Sequence, residues 1–110
     1  MMMMTDPNKA VDFLLNKAPE YAKAKAQRVY IEQYRKSLKS ILFLADGGKT
    51  IVEREAAAYA HSDYLALLEG LKEAVEDEES LRWQMVAAEA RIEVWRSQEA
   101  TNRTVDKAFR

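Results

Sequence analysis

His61 is the only histidine of the chain, and cysteine is absent. The side chains from which catalytic dyads, thiolate nucleophiles and zinc centres are built are therefore almost missing. His61 stands close to Asp63 at the junction of two predicted helices, a place for a cap rather than for proton transfer. Glu76, Asp77, Glu78 and Glu79 could attract a divalent ion, but consecutive side chains on a helix point around the cylinder and do not converge on one ion. Their plainer reading is a solvated face or a docking surface for basic groups. Asp46-Gly47-Gly48-Lys49-Thr50 sets glycines beside Lys-Thr as phosphate loops do, yet the Walker spacing is missing and no strand precedes it, so it reads as a turn. The expectation is a chain without catalytic residues, metal site, cofactor or small-molecule substrate, and so not an enzyme.

The cationic residues carry more. From Lys17 to Arg54 there are nine Lys/Arg against four acids, or +5; from Glu55 to Glu93 three against ten, or −7. Residues 94–110 return to +2 and residues 1–16 carry −1, which makes up the net −1 of the whole. Such a layout steers an anionic partner to one surface, or pairs basic with acidic regions between subunits. Stepping 100° per residue, Lys25, Arg28, Arg35, Lys36 and Lys39 fall within an arc of about 100°, interrupted by Glu32. Lys49 and Arg54 follow just beyond the next turn. Several cations on one accessible surface are what a phosphate backbone needs, and Tyr21 or Phe43 would add stacking on exposed bases. The alternative is that the arc is only the solvent side of an amphipathic helix. Ala22, Ala26, Val29, Tyr30, Tyr34, Leu38, Ile41, Leu44 and Ala45 lie broadly opposite and are expected to face the core. A second cationic set is Arg96 and Arg103, seven apart on one face near Trp95 and followed by Lys107 and Arg110. It would grip phosphate or an acidic segment of another subunit, although a helix C-terminus favours cations on its own account.

The elements that must position these residues are helical. Asp6-Pro7 reads as an N-cap with proline at the first helical position, opening a short helix to about Asn16 with Val11, Leu14 and Leu15 inward. Pro19 is expected to end it and to start a helix through Ala45, about 27 residues and ~40 Å long. Gly47-Gly48 supply positive φ and a reversal. Thr50 and Glu53 then fit a capping box opening a short helix to about Ala60, and Ser62, as N-cap, opens a final helix of roughly 45 residues or ~68 Å. Gly70 is its only glycine and no proline follows.

On this last helix Leu67, Leu71, Ala74, Glu78, Leu81, Met85, Ala88, Ile92 and Trp95 form a seam with the 3–4 spacing of coiled coils. The predicted fold is all-α: a long antiparallel helical hairpin with two short accessory helices. Because the final helix outruns its partner, the hairpin is expected to assemble into a homo-oligomer through Leu67, Leu71, Leu81, Met85, Ile92 and Trp95. A break at Glu76–Glu79 that folds the helix back is the alternative. With 110 residues, 48% hydrophobic and 32% charged, residues 1–110 are expected to form one domain with 1–6 frayed. No apolar run reaches ~18 residues, which excludes a membrane-spanning helix, and the four opening methionines lack the flank of a secretory signal. The expected compartment is the cytoplasm.

Two stretches carry a resemblance: Tyr30-Ile31-Glu32-Gln33-Tyr34-Arg35-Lys36-Ser37-Leu38-Lys39-Ser40-Ile41-Leu42 and Ile92-Glu93-Val94-Trp95-Arg96-Ser97-Gln98-Glu99-Ala100-Thr101-Asn102-Arg103. The chain, over about residues 17–103, resembles small all-helical proteins from the early regions of tailed bacteriophages, often encoded near recombination and replication genes. In layout it resembles more distantly the recombination mediator proteins of T4-like phages. The resemblance implies a non-enzymatic accessory protein in the cytoplasm of an infected bacterium, an oligomeric mediator that binds single-stranded DNA or a DNA-bound recombinase. It would place the DNA contacts on the Lys25 to Lys39 face and make the C-terminal helix the assembly element. Two other classes stand beside this one: an adaptor or inhibitor of a host factor that uses the acidic helix, and a virion scaffold or connector piece.

Overall fold

The computed structural model describes residues 6–48 and 50–109, so Lys49 and the opening methionines lie outside the described residues. Among the described residues the chain forms three helices: α1 (Pro7–Ala45), α2 (Ile51–Ala60) and α3 (Ser62–Ala108). The fold is an all-α helical hairpin in which α1 and α3 pack together. The chain divides into two compact units, Met1–Tyr21 with Ser80–Arg110 (unit 1) and Ala22–Glu79 (unit 2).

α1 begins as expected. Asp6 accepts from the Asn8 N–H through Oδ1 at 2.9 Å, its carbonyl accepts from Ala10 N–H at 3.1 Å, and Pro7 follows at a position where the missing donor costs nothing. It does not stop at Pro19. The helix runs 39 residues with that proline inside it, so one of the two expected accessory helices is the first part of α1. A proline removes one backbone bond and crowds the carbonyl four residues earlier, a cost of about 3 kcal/mol that favourable residues and packing on both sides outweigh here.

A heptad row explains the continuity. Ala10, Leu14, Lys17, Tyr21, Ala24, Arg28, Ile31, Arg35, Leu38 and Leu42 are spaced 4, 3, 4, 3 across Pro19, and each of them is buried or half-buried. The facing of α1 is therefore nearly opposite to the sequence expectation. Of the residues expected in the core, only Leu38 is buried, while Ala22, Ala26, Val29, Tyr30, Tyr34, Ile41, Leu44 and Ala45 are exposed. Arg28, Arg35 and Lys39 instead sit on the covered side. On α3 the expected seam is the covered one: Ala74, Glu78 and Ala88 are buried and Leu67, Leu71, Leu81, Met85 and Ile92 half-buried. α3 is continuous through Glu76–Glu79, which disposes of a fold-back there.

The connection between α1 and α2 works differently from a glycine turn of the left-handed kind. Neither Gly47 nor Gly48 has positive φ. Asp46 makes the turn by accepting the Gly48 N–H at Oδ2, 2.8 Å away, and closeness explains the glycine: a Cβ on Gly48 would lie 2.7 Å from that oxygen and 3.2 Å from Glu53 Cβ. Thr50 and Glu53 complete the expected capping box, with the Glu53 N–H donating to Thr50 Oγ1 at 3.1 Å and the Thr50 N–H to Glu53 Oε2 at 3.4 Å. At the next junction the cap is His61, not Ser62. Its extended backbone offers the carbonyl to the Leu65 N–H at 3.0 Å, and its Nδ1 accepts from the Asp63 N–H at 3.0 Å. The single histidine is thus spent on satisfying an otherwise orphaned helical donor.

Candidate nucleic-acid interface

The cations foreseen as one surface have separate fates. Arg28 points inward within unit 2, where its Nε and Nη2 donate to the two carboxylate oxygens of Glu78 at 2.8 and 2.9 Å and its Nη1 donates to Glu32 at 2.9 Å. The fork-to-fork geometry is the strong form of an Arg–carboxylate contact. It raises the guanidinium pKa well beyond its ordinary value, through Glu78 first and Glu32 second. Glu78 is 6% exposed and is the buried charged residue on α3, so the acidic run does not act as a single outward patch.

Lys39 is engaged as well. Its Nζ donates to Glu55 at 3.0 Å and lies 4.5 Å above the Tyr59 ring, and interaction with Tyr59, then with Glu55, holds the ammonium pKa above its ordinary 10.5. Arg54 braces the turn: its Nε donates to the Gly48 carbonyl at 2.8 Å and its guanidinium sits 6.0 Å over the Phe43 ring. That occupies Phe43, one of the two aromatics proposed for stacking; the other, Tyr21, is half-buried in the α1 row. Arg35 is half-buried in the same row.

Lys25 and Lys36 remain exposed on α1, eleven residues apart and so close to the same side of the helix, and neither has an ion pair among the described residues. Lys23 is exposed too. In unit 1, Arg96 pairs with Glu93 at 3.0 Å, an i,i+3 contact with both side chains about two-thirds exposed, which leaves the guanidinium accessible. Arg103 is exposed. On α1 in unit 2, about 120–180° around the helix from Lys25 and Lys36, an aromatic pair is also open. Tyr30 and Tyr34, assigned to the core, are 65% and 41% exposed with their rings nearly parallel, 6° apart in plane and 6.2 Å between centroids. Their i,i+4 spacing was visible; which way they faced was not.

No family model, curated protein or solved structure matches this chain. The reading of the surface thus rests on its own chemistry. Among the described residues no group of His, Asp or Glu is arranged to hold a metal ion, and no helix is long and apolar enough to cross a membrane. What α1 offers is point charges on flexible stems on one exposed side, Lys25 and Lys36, and aromatic faces with Lys23 on another, each suited to a flexible polyanion with exposed bases.

The foreseen oligomer residues are placed with equal clarity. Leu67, Leu71, Leu81, Met85 and Ile92 are half-covered by the chain itself, and Trp95 remains 39% exposed. Large apolar side chains lie instead on other faces of α3, among them Leu65 in unit 2 and Trp83, Val94 and Val105 in unit 1, each about half exposed. Among the described residues no large side chain is fully buried.

Proposed function

We propose that this protein is a non-enzymatic phage accessory protein of DNA recombination or replication, binding single-stranded DNA in the cytoplasm of the infected bacterium and working as a homo-oligomer. The observation that carries the reading is the pair Lys25 and Lys36, exposed on one side of α1 and clear of ion pairs among the described residues; the stacked Tyr30–Tyr34 pair, with Lys23, lies on another exposed side of the same helix. The resemblance of the two quoted stretches to early-region phage proteins supplies the biological setting. A role beside a DNA-bound recombinase fits the same surface, since a mediator must hold the strand that the recombinase will coat.

Self-association is supported by the large apolar side chains left about half exposed on α3, Leu65 in unit 2 and Trp83, Val94 and Val105 in unit 1, which a second copy would cover.

The test is binding of a labelled single-stranded oligonucleotide across a salt series, with parent protein and Lys25→Glu/Lys36→Glu. The parent is expected to bind with log K falling linearly with log salt. The double variant, whose side chains are exposed and whose helicity should not change, is expected to bind far more weakly and to flatten the slope by about 0.7 for each phosphate that is no longer neutralised. Parent protein that fails to bind at low salt, or a variant that binds like the parent, refutes the reading. The adaptor reading is favoured by one observation, the apolar residues left open on α3, and it predicts a stable protein complex with no dependence on nucleic acid.

A further inference from the structure

The outward row of α1 in unit 2 holds a feature that the salt-dependent contacts do not explain. Tyr30 and Tyr34 present two nearly parallel rings to solvent, and neither hydroxyl makes a hydrogen bond among the described residues. A tyrosine that is neither packed nor hydrogen-bonded contributes little to the fold, since both of its usual gains are missing. Apart from Ala26, the exposed nearest neighbours are polar. Gln27, Gln33 and Ser37, each three or four residues from one of the tyrosines and so adjacent to it on the helix, are all exposed. Lys23 lies seven residues before Tyr30, on the same side and about 10.5 Å along the axis.

We infer that Tyr30 and Tyr34 form a base-stacking platform for single-stranded nucleic acid, with Gln27, Gln33 and Ser37 hydrogen-bonding at its edges and Lys23 taking a phosphate. The inference rests on the nucleic-acid reading above and gives it a second, uncharged component. The nearest exposed neighbours favour this occupant: two amides and a hydroxyl, with Lys23 further out, suit the edges of bases and their backbone. The large apolar residues of this side, Ile41 and Leu44, begin about two turns beyond Tyr34, so a second copy is an outcome that the mass measurement below detects. Every base offers a π-face, so stacking here is tolerant of sequence. It is also insensitive to salt, because no counterion is released when a ring meets a ring.

That difference in salt response defines the experiment. Binding of a mixed-sequence, fluorescently labelled single-stranded oligonucleotide is measured across salt for the parent, Tyr30→Ala/Tyr34→Ala and Tyr30→Phe/Tyr34→Phe, with mass by light scattering and helicity by circular dichroism on each. Alanine at exposed helix positions leaves the fold intact. The alanine pair is expected to bind about fivefold to a hundredfold more weakly for each base that no longer stacks, by the same factor at every salt concentration, with the slope and the mass unchanged. The phenylalanine pair keeps the rings and is expected to bind like the parent. Parental affinity in the alanine pair overturns the platform while leaving the lysine contacts standing. So does a phenylalanine pair as weak as the alanine pair, which would assign the role to the hydroxyls, or a loss of mass in the alanine pair, which would assign the face to a second copy. A parent that binds no oligonucleotide at any salt removes the platform and the underlying reading together.

Discussion

Unit 2 and unit 1 both draw on α1 and α3, unit 2 with α2 added, and both bury apolar residues, Leu38, Ala58, Tyr64 and Ala74 in unit 2, yet unit 2 adds a forked ion pair between helices. In unit 2 the covered row of α1 carries Arg28, whose guanidinium engages Glu78 with two hydrogen bonds and Glu32 with a third, and Lys39 reaches Glu55 and Tyr59 on α2. In unit 1 the buried residues are Ala10 and Ala88, with Leu14, Leu81, Met85 and Ile92 half-buried. Two of the ion pairs there, Lys17–Glu20 and Glu93–Arg96, each run along a single helix. Apolar heptads tolerate a slip of one repeat at modest cost, whereas a forked Arg–carboxylate contact is satisfied in one alignment only. Unit 2 thus fixes the register of the hairpin, and unit 1 adds apolar area to an alignment already chosen.

The largest expected effect is on that register. Glu78→Ala leaves Arg28 on the covered side with Glu32 as its remaining carboxylate, and removing one member of a buried pair costs far more than replacing both. The side chain of Arg28 stays about a quarter exposed, which softens the effect. A fall of roughly 5–10 °C in Tm is expected for a chain of this size. Replacing both residues, Arg28→Leu with Glu78→Leu, should recover most of the stability and lose the alignment, seen as doubled amide resonances from slipped hairpins. A Glu78→Ala protein that melts with the parent would remove unit 2 from its role, and a double variant with a single set of resonances would move register control elsewhere.

The same pair explains what was and was not legible in the sequence. The seam of α3 was readable from Leu67 to Ile92, Glu78 included, because a long row with a 3–4 spacing has a single solution; Trp95, which continues the row, is 39% exposed. The caps at Asp6 and Thr50 were readable because their partners lie two to four residues away. The facing of α1 was not. Its covered row mixes Ala, Leu and Ile with Lys17, Arg28 and Arg35, and an inward arginine is reasonable only once an acid fifty residues later stands opposite. Hydropathy alone prefers the row of Val29, Tyr30, Ile41 and Leu44, which the fold leaves open. Treating Pro19 as a break concealed the continuity of the row that would have decided the matter. The candidate site follows from this facing: Arg28, Arg35 and Lys39 turn to the covered side, and the aromatic pair that opens to solvent is Tyr30 and Tyr34 rather than Tyr21 and Phe43.

Each unit also carries one weakness in its helices, and repairing them tests whether both units bear on stability. In unit 1, Pro19 is exposed inside α1 and leaves the Leu15 carbonyl without its usual donor. Pro19→Ala restores that bond and relieves the ring, so denaturant titration should show a gain of about 1–3 kcal/mol with greater helicity. A decrease would mean that the proline sets a bend on which packing in unit 1 depends.

The smaller and cleaner repair is in unit 2. A Cβ added at Gly70 meets nothing within 4 Å, and the position is interior to α3, so Gly70→Ala should gain about 1 kcal/mol from backbone entropy alone, read as a higher denaturation midpoint with an unchanged m-value. Because the added Cβ has room within this chain, a variant that is less stable than the parent at high protein concentration, and more stable on dilution, would show that Gly70 is where another copy comes close. Equal gains at all concentrations would leave this turn of α3 open to solvent, and would turn the search for the assembly surface to the apolar residues on the other faces of the helix.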